Sequence, residues 1–98
     1  MCGATTGGVS TDGVDLAKES VVQGVVLRDG QPVAGAYVRL LDASGEFTAE
    51  VPTSATGQFR FFAAPGSWTV RTLAPKADVV DRPVVAALGE IAEVEVVL

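Results

Sequence analysis

Downstream of Ser20, apolar and polar side chains alternate with a period of two, in short runs broken by glycine, proline and aspartate. Strands send successive side chains to opposite faces, so such runs predict half-buried β-strands. Val22, Gly24 and Val26 share one face of the first strand, and Asp29-Gly30-Gln31-Pro32 predicts the turn that follows. Asp-Gly favours the left-handed backbone that a tight turn needs. Ala36, Val38 and Leu40 then point one way, while Tyr37, Arg39 and Leu41 point the other. Beyond the turn at Asp42-Ala43-Ser44-Gly45, the side chains of Phe47, Ala49 and Val51 alternate with Glu46, Thr48 and Glu50. That pattern predicts a half-buried strand with an acidic outer face. Pro52 ends it, and Thr53 to Gly57 is loop.

Gly57 opens a strand with Phe59 and Phe61 inward and Arg60 and Phe62 outward. Pro65-Gly66 turns the chain into another, with Trp68, Val70 and Thr72 inward and Thr69, Arg71 and Leu73 outward. Ala74 to Asp81 is the longest irregular connection. Arg82 to Ala87 forms a weaker strand whose Pro83 fits an edge or a strand start. After Leu88-Gly89-Glu90, Ala92, Val94, Val96 and Leu98 alternate with Glu93, Glu95 and Val97. Strands at this spacing, seven in all, pack most simply as an all-β, two-sheet sandwich. Residues 1–19 are small and polar without sustained periodicity, so a flexible N-terminal tail is expected ahead of a sandwich domain at 20–98. A helical turn at Val14 to Glu19 would be too short to stand alone.

Composition supports one small core. The chain has 98 residues, 48% of them hydrophobic, and valine dominates that fraction. β-branched side chains suit a pleated surface better than a helix. A net charge of −5 opposes binding to nucleic acid or anionic lipid. No apolar run approaches the roughly 20 residues that span a bilayer. The start of the chain has neither the basic residues nor the apolar segment of a signal peptide, so Cys2 is not expected to be a lipid-bearing cysteine. A single cysteine forms no internal disulfide and agrees with a reducing compartment. The expected location is cytoplasmic.

Val22-x-Gly24-x-Val26, Val33-Ala34-Gly35-Ala36-x-Val38-x-Leu40, Gly57-x-Phe59 and Pro65-Gly66-x-Trp68 together resemble the carboxypeptidase regulatory-like sandwich domains, which are transthyretin-like or immunoglobulin-like. The resemblance covers roughly Ser20 to Leu98 and implies a structural or binding module rather than a particular chemistry. The whole chain, with its Met1-Cys2-Gly3 start and the segment Gly57 to Gly66, also resembles a small actinobacterial family of unknown function. That family is labelled a sulfur-metabolism protein of the SseC type. Its members tend to be encoded beside rhodanese-type thiosulfate sulfurtransferases, which implies a role near sulfur transfer.

Candidate chemistry is sparse. Without histidine there is no Ser-His-Asp or Cys-His pair and no ordinary zinc site. The transthyretin-like hydroxyisourate hydrolases depend on histidines this chain lacks. Asp12, Asp15, Asp78 and Asp81 lack an EF-hand pattern, and Gly7-Gly8 has no lysine at P-loop spacing. No metal, no cofactor and no catalytic residue is expected, and the reading is non-enzymatic. Cys2 is the one reactive candidate. Once Met1 is removed its thiol would sit beside the α-ammonium group, which favours the thiolate. A mobile arm could then offer Cys2 as a persulfide acceptor in a sulfur relay; the bland reading is an incidental cysteine in a tail. Met-Cys-Gly also begins the N-terminal-cysteine amidotransferases, but these need a large layered α/β domain.

The second candidate is a surface. Tyr37, Arg39, Arg60, Phe62 and Arg71 all fall on outward positions. If their strands lie in one sheet, its outer face is basic and aromatic, the composition of interface hot spots. Glu46, Glu50, Glu93 and Glu95 would then belong to the other sheet; the bland reading is routine solvation of outer positions. The implied partner is a thiosulfate sulfurtransferase, with no nucleic acid or membrane. A homo-oligomer stays open, because Val25 and Leu27 face away from the core side: either the tail or a second subunit caps them, or the first strand is buried on both faces.

Overall fold

The structure, a computed structural model, describes residues 20–98. The expected tail, its helical turn and Cys2 lie outside the described residues. The strands are β1 (Val21–Arg28), β2 (Gln31–Pro32), β3 (Tyr37–Leu41), β4 (Phe47–Pro52), β5 (Gln58–Phe62), β6 (Gly66–Leu73), β7 (Val80–Ala86) and β8 (Ile91–Val97). They form an all-β, two-sheet architecture, the expected sandwich. The eighth strand of the described residues is the two-residue β2, which the sequence pattern assigns to a turn. Asp29 (φ 52°) and Gly30 (φ 78°) are both left-handed and close a two-residue hairpin that pairs Arg28 with Gln31. β7 also starts earlier than expected, at Val80 rather than Arg82.

In the first sheet β1 is central. It pairs antiparallel with β5 and, at its far end, with β2, while β8 runs parallel to it on the other flank. The second sheet is antiparallel in the order β4-β3-β6-β7. Pro83 lies on β7, an edge strand, where its missing N–H costs no ladder bond. The inward faces meet in a core of Val22, Val26, Val38, Leu40, Phe59, Phe61, Val70, Ala86 and Val96, with Trp68 packed against it. Phe59 and Phe61 lie with ring centroids 6.1 Å apart and planes inclined by 56°, a favourable tilted pair. The indole Nε1–H of Trp68 donates to the Ala64 carbonyl at 2.9 Å.

The route from β4 to β5 carries the chain from one sheet to the other. Thr53 anchors this crossing from a buried position. Its hydroxyl accepts from the Ala36 N–H at 2.9 Å and donates to the Val33 carbonyl at 2.6 Å, while its own N–H donates to the Ala36 carbonyl at 2.8 Å. Gly57 follows with φ 75°, and its carbonyl accepts from the Val26 N–H at 2.8 Å. A Cβ at Gly57 would stand 2.7 Å from the Val26 carbonyl oxygen, so both the backbone angle and the close approach require glycine.

One register differs from the alternation read off the sequence. Leu40 pairs with Ala49, yet Leu41 pairs with Phe47, so Thr48 is the extra residue of a β-bulge. The bulge moves Phe47 out of the expected inward set. It lies on the outer face and is 60% exposed.

Candidate functional site

The outer face of the second sheet is built from rows of directly opposed residues. The central row reads Glu50 on β4, Arg39 on β3, Arg71 on β6 and Asp81 on β7. Like charges directly opposite on neighbouring strands repel, and here each arginine is drawn to the carboxylate on its other side. Arg39 Nε donates to Glu50 Oε1 at 2.7 Å. Arg71 makes a two-pronged contact, Nε to Asp81 Oδ1 at 2.9 Å and Nη2 to Oδ2 at 3.0 Å. Hydrogen bonding from Arg71 holds the Asp81 carboxyl below its ordinary range, and the same bond raises the Arg71 guanidinium.

Apolar rows flank this polar one. On one side Phe47 and Leu41 adjoin Thr69 and Pro83, and the Arg39 guanidinium carbon lies 5.8 Å from the Phe47 ring centroid, within cation–π range. On the other side Tyr37, 53% exposed, sits between Pro52 and Leu73. Val85, opposite Ser67, is exposed one row beyond Pro83, on the Phe47 side of the charged row. The face therefore has a charged centre and aromatic shoulders. Exposed ion pairs contribute only about 0–1 kcal/mol each, so Arg39 and Arg71 can exchange partners at little cost.

Of the five expected surface residues, Tyr37, Arg39 and Arg71 share this face. Arg60 and Phe62 do not. Their strand, β5, pairs with β1 in the first sheet, because the Thr53–Gly57 crossing lies between β4 and β5. There Arg60 Nε donates to Gln23 Oε1 at 3.3 Å, and Phe62 is 59% exposed. The expected separation of basic and acidic faces is corrected accordingly: Glu50 lies beside Arg39, and Glu93 lies in the same row as Arg60 with Gln23 between them.

Glu50, Asp81 and Phe47 complete the site and were not legible as members of it. Period-two alternation marks which residues point outward but not which strands neighbour one another. Phe47 reached the face through a bulge that no local residue type announces. At the adjacent turn, Asp42 Oδ1 accepts from the Ser44 hydroxyl at 2.7 Å and from the N–H groups of Ser44 at 2.9 Å and Glu46 at 3.0 Å. These bonds, the Ser44 hydroxyl first, lower the Asp42 carboxyl. Among the described residues no three His, Cys, Asp or Glu side chains gather as metal ligands do. Nor is any helix of the described residues long and apolar enough to cross a membrane.

Fold and face together define a small β-sandwich module with a charged, aromatic-flanked sheet surface. Over residues 2–98 the chain belongs to the family described as "Protein of unknown function (DUF1416)". It is 56% identical over 95 residues to "Uncharacterized protein Rv0814c" and equally to "Uncharacterized protein Rv3118", both of Mycobacterium tuberculosis, covering 93% of this chain and 95% of each relative. A Mycolicibacterium smegmatis protein is 60% identical over 82 residues, 81% of this chain and 91% of that one. Among solved structures, the chain is similar to the dioxygenase domain of a dioxygenase carbohydrate-binding protein fusion from Streptomyces sp. SirexAA-E. There the TM-score is 0.63 at 15% identity, covering 87% of this chain and 82% of that domain. It is also similar to catechol 1,2-dioxygenase from Pseudomonas arvilla C-1, with a TM-score of 0.57 at 15% identity, covering 89% of this chain and 53% of the enzyme. At such identities the likeness is one of fold.

Proposed function

We propose that this protein is a non-enzymatic accessory module that docks a partner protein through the outer face of β4-β3-β6-β7. The observation that carries the reading is the row Glu50-Arg39-Arg71-Asp81 set between exposed Tyr37 and Phe47. Arginine and aromatic side chains are the types that dominate interface energetics, and exposed ion pairs are cheap to rearrange on contact. The dioxygenase activity of the similar folds is not carried over, since fold alone does not transfer chemistry and the chain has no histidine to offer. The partner we propose is a rhodanese-type thiosulfate sulfurtransferase, on the strength of the family resemblance to sulfur-metabolism proteins. The setting is cytoplasmic.

The test is calorimetric titration of the full chain with the sulfurtransferase encoded in the same genome. Saturable binding that falls at least about tenfold in R39E/R71E is the expected result. Absence of binding, or equal binding by the double variant, overturns the reading. Intact mass measured after adding thiosulfate separates docking from relay: one extra sulfur on the N-terminal peptide would assign the function to Cys2 instead.

A further inference from the structure

The outer face of the first sheet carries a different kind of site. Gln23 and Val25 of β1, Gln58 of β5, and Glu93 and Glu95 of β8 border a groove of about 500 Å3, a size that suits a residue-sized ligand. The registers set two rows across it, Arg60-Gln23-Glu93 and Gln58-Val25-Glu95.

Both glutamine amides are oriented by their neighbours. Gln23 is only 9% exposed, and its Oε1 accepts from Arg60 Nε at 3.3 Å. Gln58 Oε1 accepts from the Thr56 hydroxyl at 2.9 Å. With each oxygen engaged, each side chain has its NH2 end left to donate. Arg60 stays behind Gln23, with Nη2 buried and without a hydrogen-bond partner among the described residues.

The acidic wall is unlike the carboxylates of the second sheet. Glu50 and Asp81 each adjoin an arginine and pair with it. Glu93 and Glu95 adjoin Gln23 and Val25 instead, and neither forms an ion pair among the described residues. Positions two apart on one strand face lie about 6.7 Å from each other, so the two negative charges reinforce one another's pull on a cation. The groove thus offers two unneutralised carboxylates, two amide donors and an aliphatic wall at Val25.

We propose that this groove binds the side chain of a lysine or arginine residue presented by another polypeptide. The cationic head lies at Glu93 and Glu95, the aliphatic stem lies along Val25, and a main-chain carbonyl of the ligand accepts from Gln23 or Gln58. A residue within a peptide fits better than the free amino acid, whose α-carboxylate would be brought close to Glu93 and Glu95. The site lies on the opposite sheet from the arginine face and stands independently of the function proposed above.

The test is a 15N-resolved NMR titration of the full chain with Nα-acetyl-lysine N-methylamide and its arginine counterpart, alongside the norleucine counterpart and free lysine. Expected are saturable shifts at residues 23–25, 58 and 93–95 with the blocked lysine or arginine. Affinity should drop at least about tenfold in E93Q/E95Q, and also with added salt. Both glutamates are exposed, so that variant keeps its fold, which unperturbed resonances of the core verify. Equal shifts with the norleucine compound, tighter binding of free lysine, unchanged binding by E93Q/E95Q, or no saturable shift in the parent protein would each overturn the assignment.

Discussion

Gly24 lies directly opposite Phe59 on the neighbouring strand: a Cβ at this position would stand 2.8 Å from Phe59 Cζ and would collide with the Val94 carbonyl oxygen. β1 is central, so neither the β5 side nor the β8 side can yield without opening the sheet. Gly24→Ala is expected to cost about 3 kcal/mol, the upper range for overpacking a tight core. A urea midpoint that matches the parent protein would contradict this packing.

Thr72 points into the core from β6, and its hydroxyl is buried without a hydrogen-bond partner among the described residues. Thr72→Val keeps the shape and removes the unpaired group, so stability should rise by about 1 kcal/mol. For a domain of this size that raises the melting temperature by about 4–8 °C. Calorimetry gives the sign directly.

Thr53 is the opposite case, and the same substitution there should destabilise. Its hydroxyl bridges Ala36 N–H and Val33 C=O at the crossing between sheets. Thr53→Val strands both groups and is expected to cost about 1–3 kcal/mol. Opposite shifts for the two Thr→Val changes, measured side by side, would separate a bonded hydroxyl from an orphaned one.

Acid should weaken the fold through Asp42 and Asp81. Both carboxyls are held below their ordinary value of 3.8 in the folded protein, by Ser44 and by Arg71 respectively. A lowered folded pKa stabilises the protein above the unfolded value, and that contribution is lost as pH falls through the folded one. The loss therefore begins near pH 3.8 and continues below it. In D42A/D81A the acid limb of stability against pH should be flatter than in the parent, the two curves converging at the lowest pH.

Exchanging the charges of one ion pair should distinguish docking from stability. R39E/E50R preserves an opposite-charge pair at exposed positions, so stability is expected to stay within about 0.5 kcal/mol. The face proposed for docking, however, changes from a row of −, +, +, − to one of +, −, +, −. Sulfurtransferase binding should fall although the melting temperature does not. Joint loss of both would make these residues structural.

The alternation of Ala36 to Leu41 and of Phe59 to Phe62 was enough to read the inward and outward sets, because burial of one strand face leaves a period of two in the chain. Pairing leaves no such trace. Arg39 and Arg60 look equivalent in sequence, but Thr53 and Gly57 send their strands to different sheets. Phe47 was misplaced for a related reason: the extra residue at Thr48 inverts its facing, while Ala49, Glu50 and Val51 keep theirs. The groove was still less legible, since Gln23, Gln58 and Glu95 come from three strands and meet only through the β1 registers.

The parallel pairing of β1 with β8 has a consequence for how the molecule is made. β1 leaves the ribosome first among the described strands, while the neighbour that completes its second flank is the last of them. Contacts between such distant segments fold slowly. In that interval a valine-rich strand waits with one hydrogen-bonding edge bare, the state in which nascent chains aggregate. Gln23 and Gly24 at its centre interrupt what would otherwise be an unbroken apolar run from Val21 to Leu27. They act as gatekeepers during synthesis as well as fittings of the finished sheet.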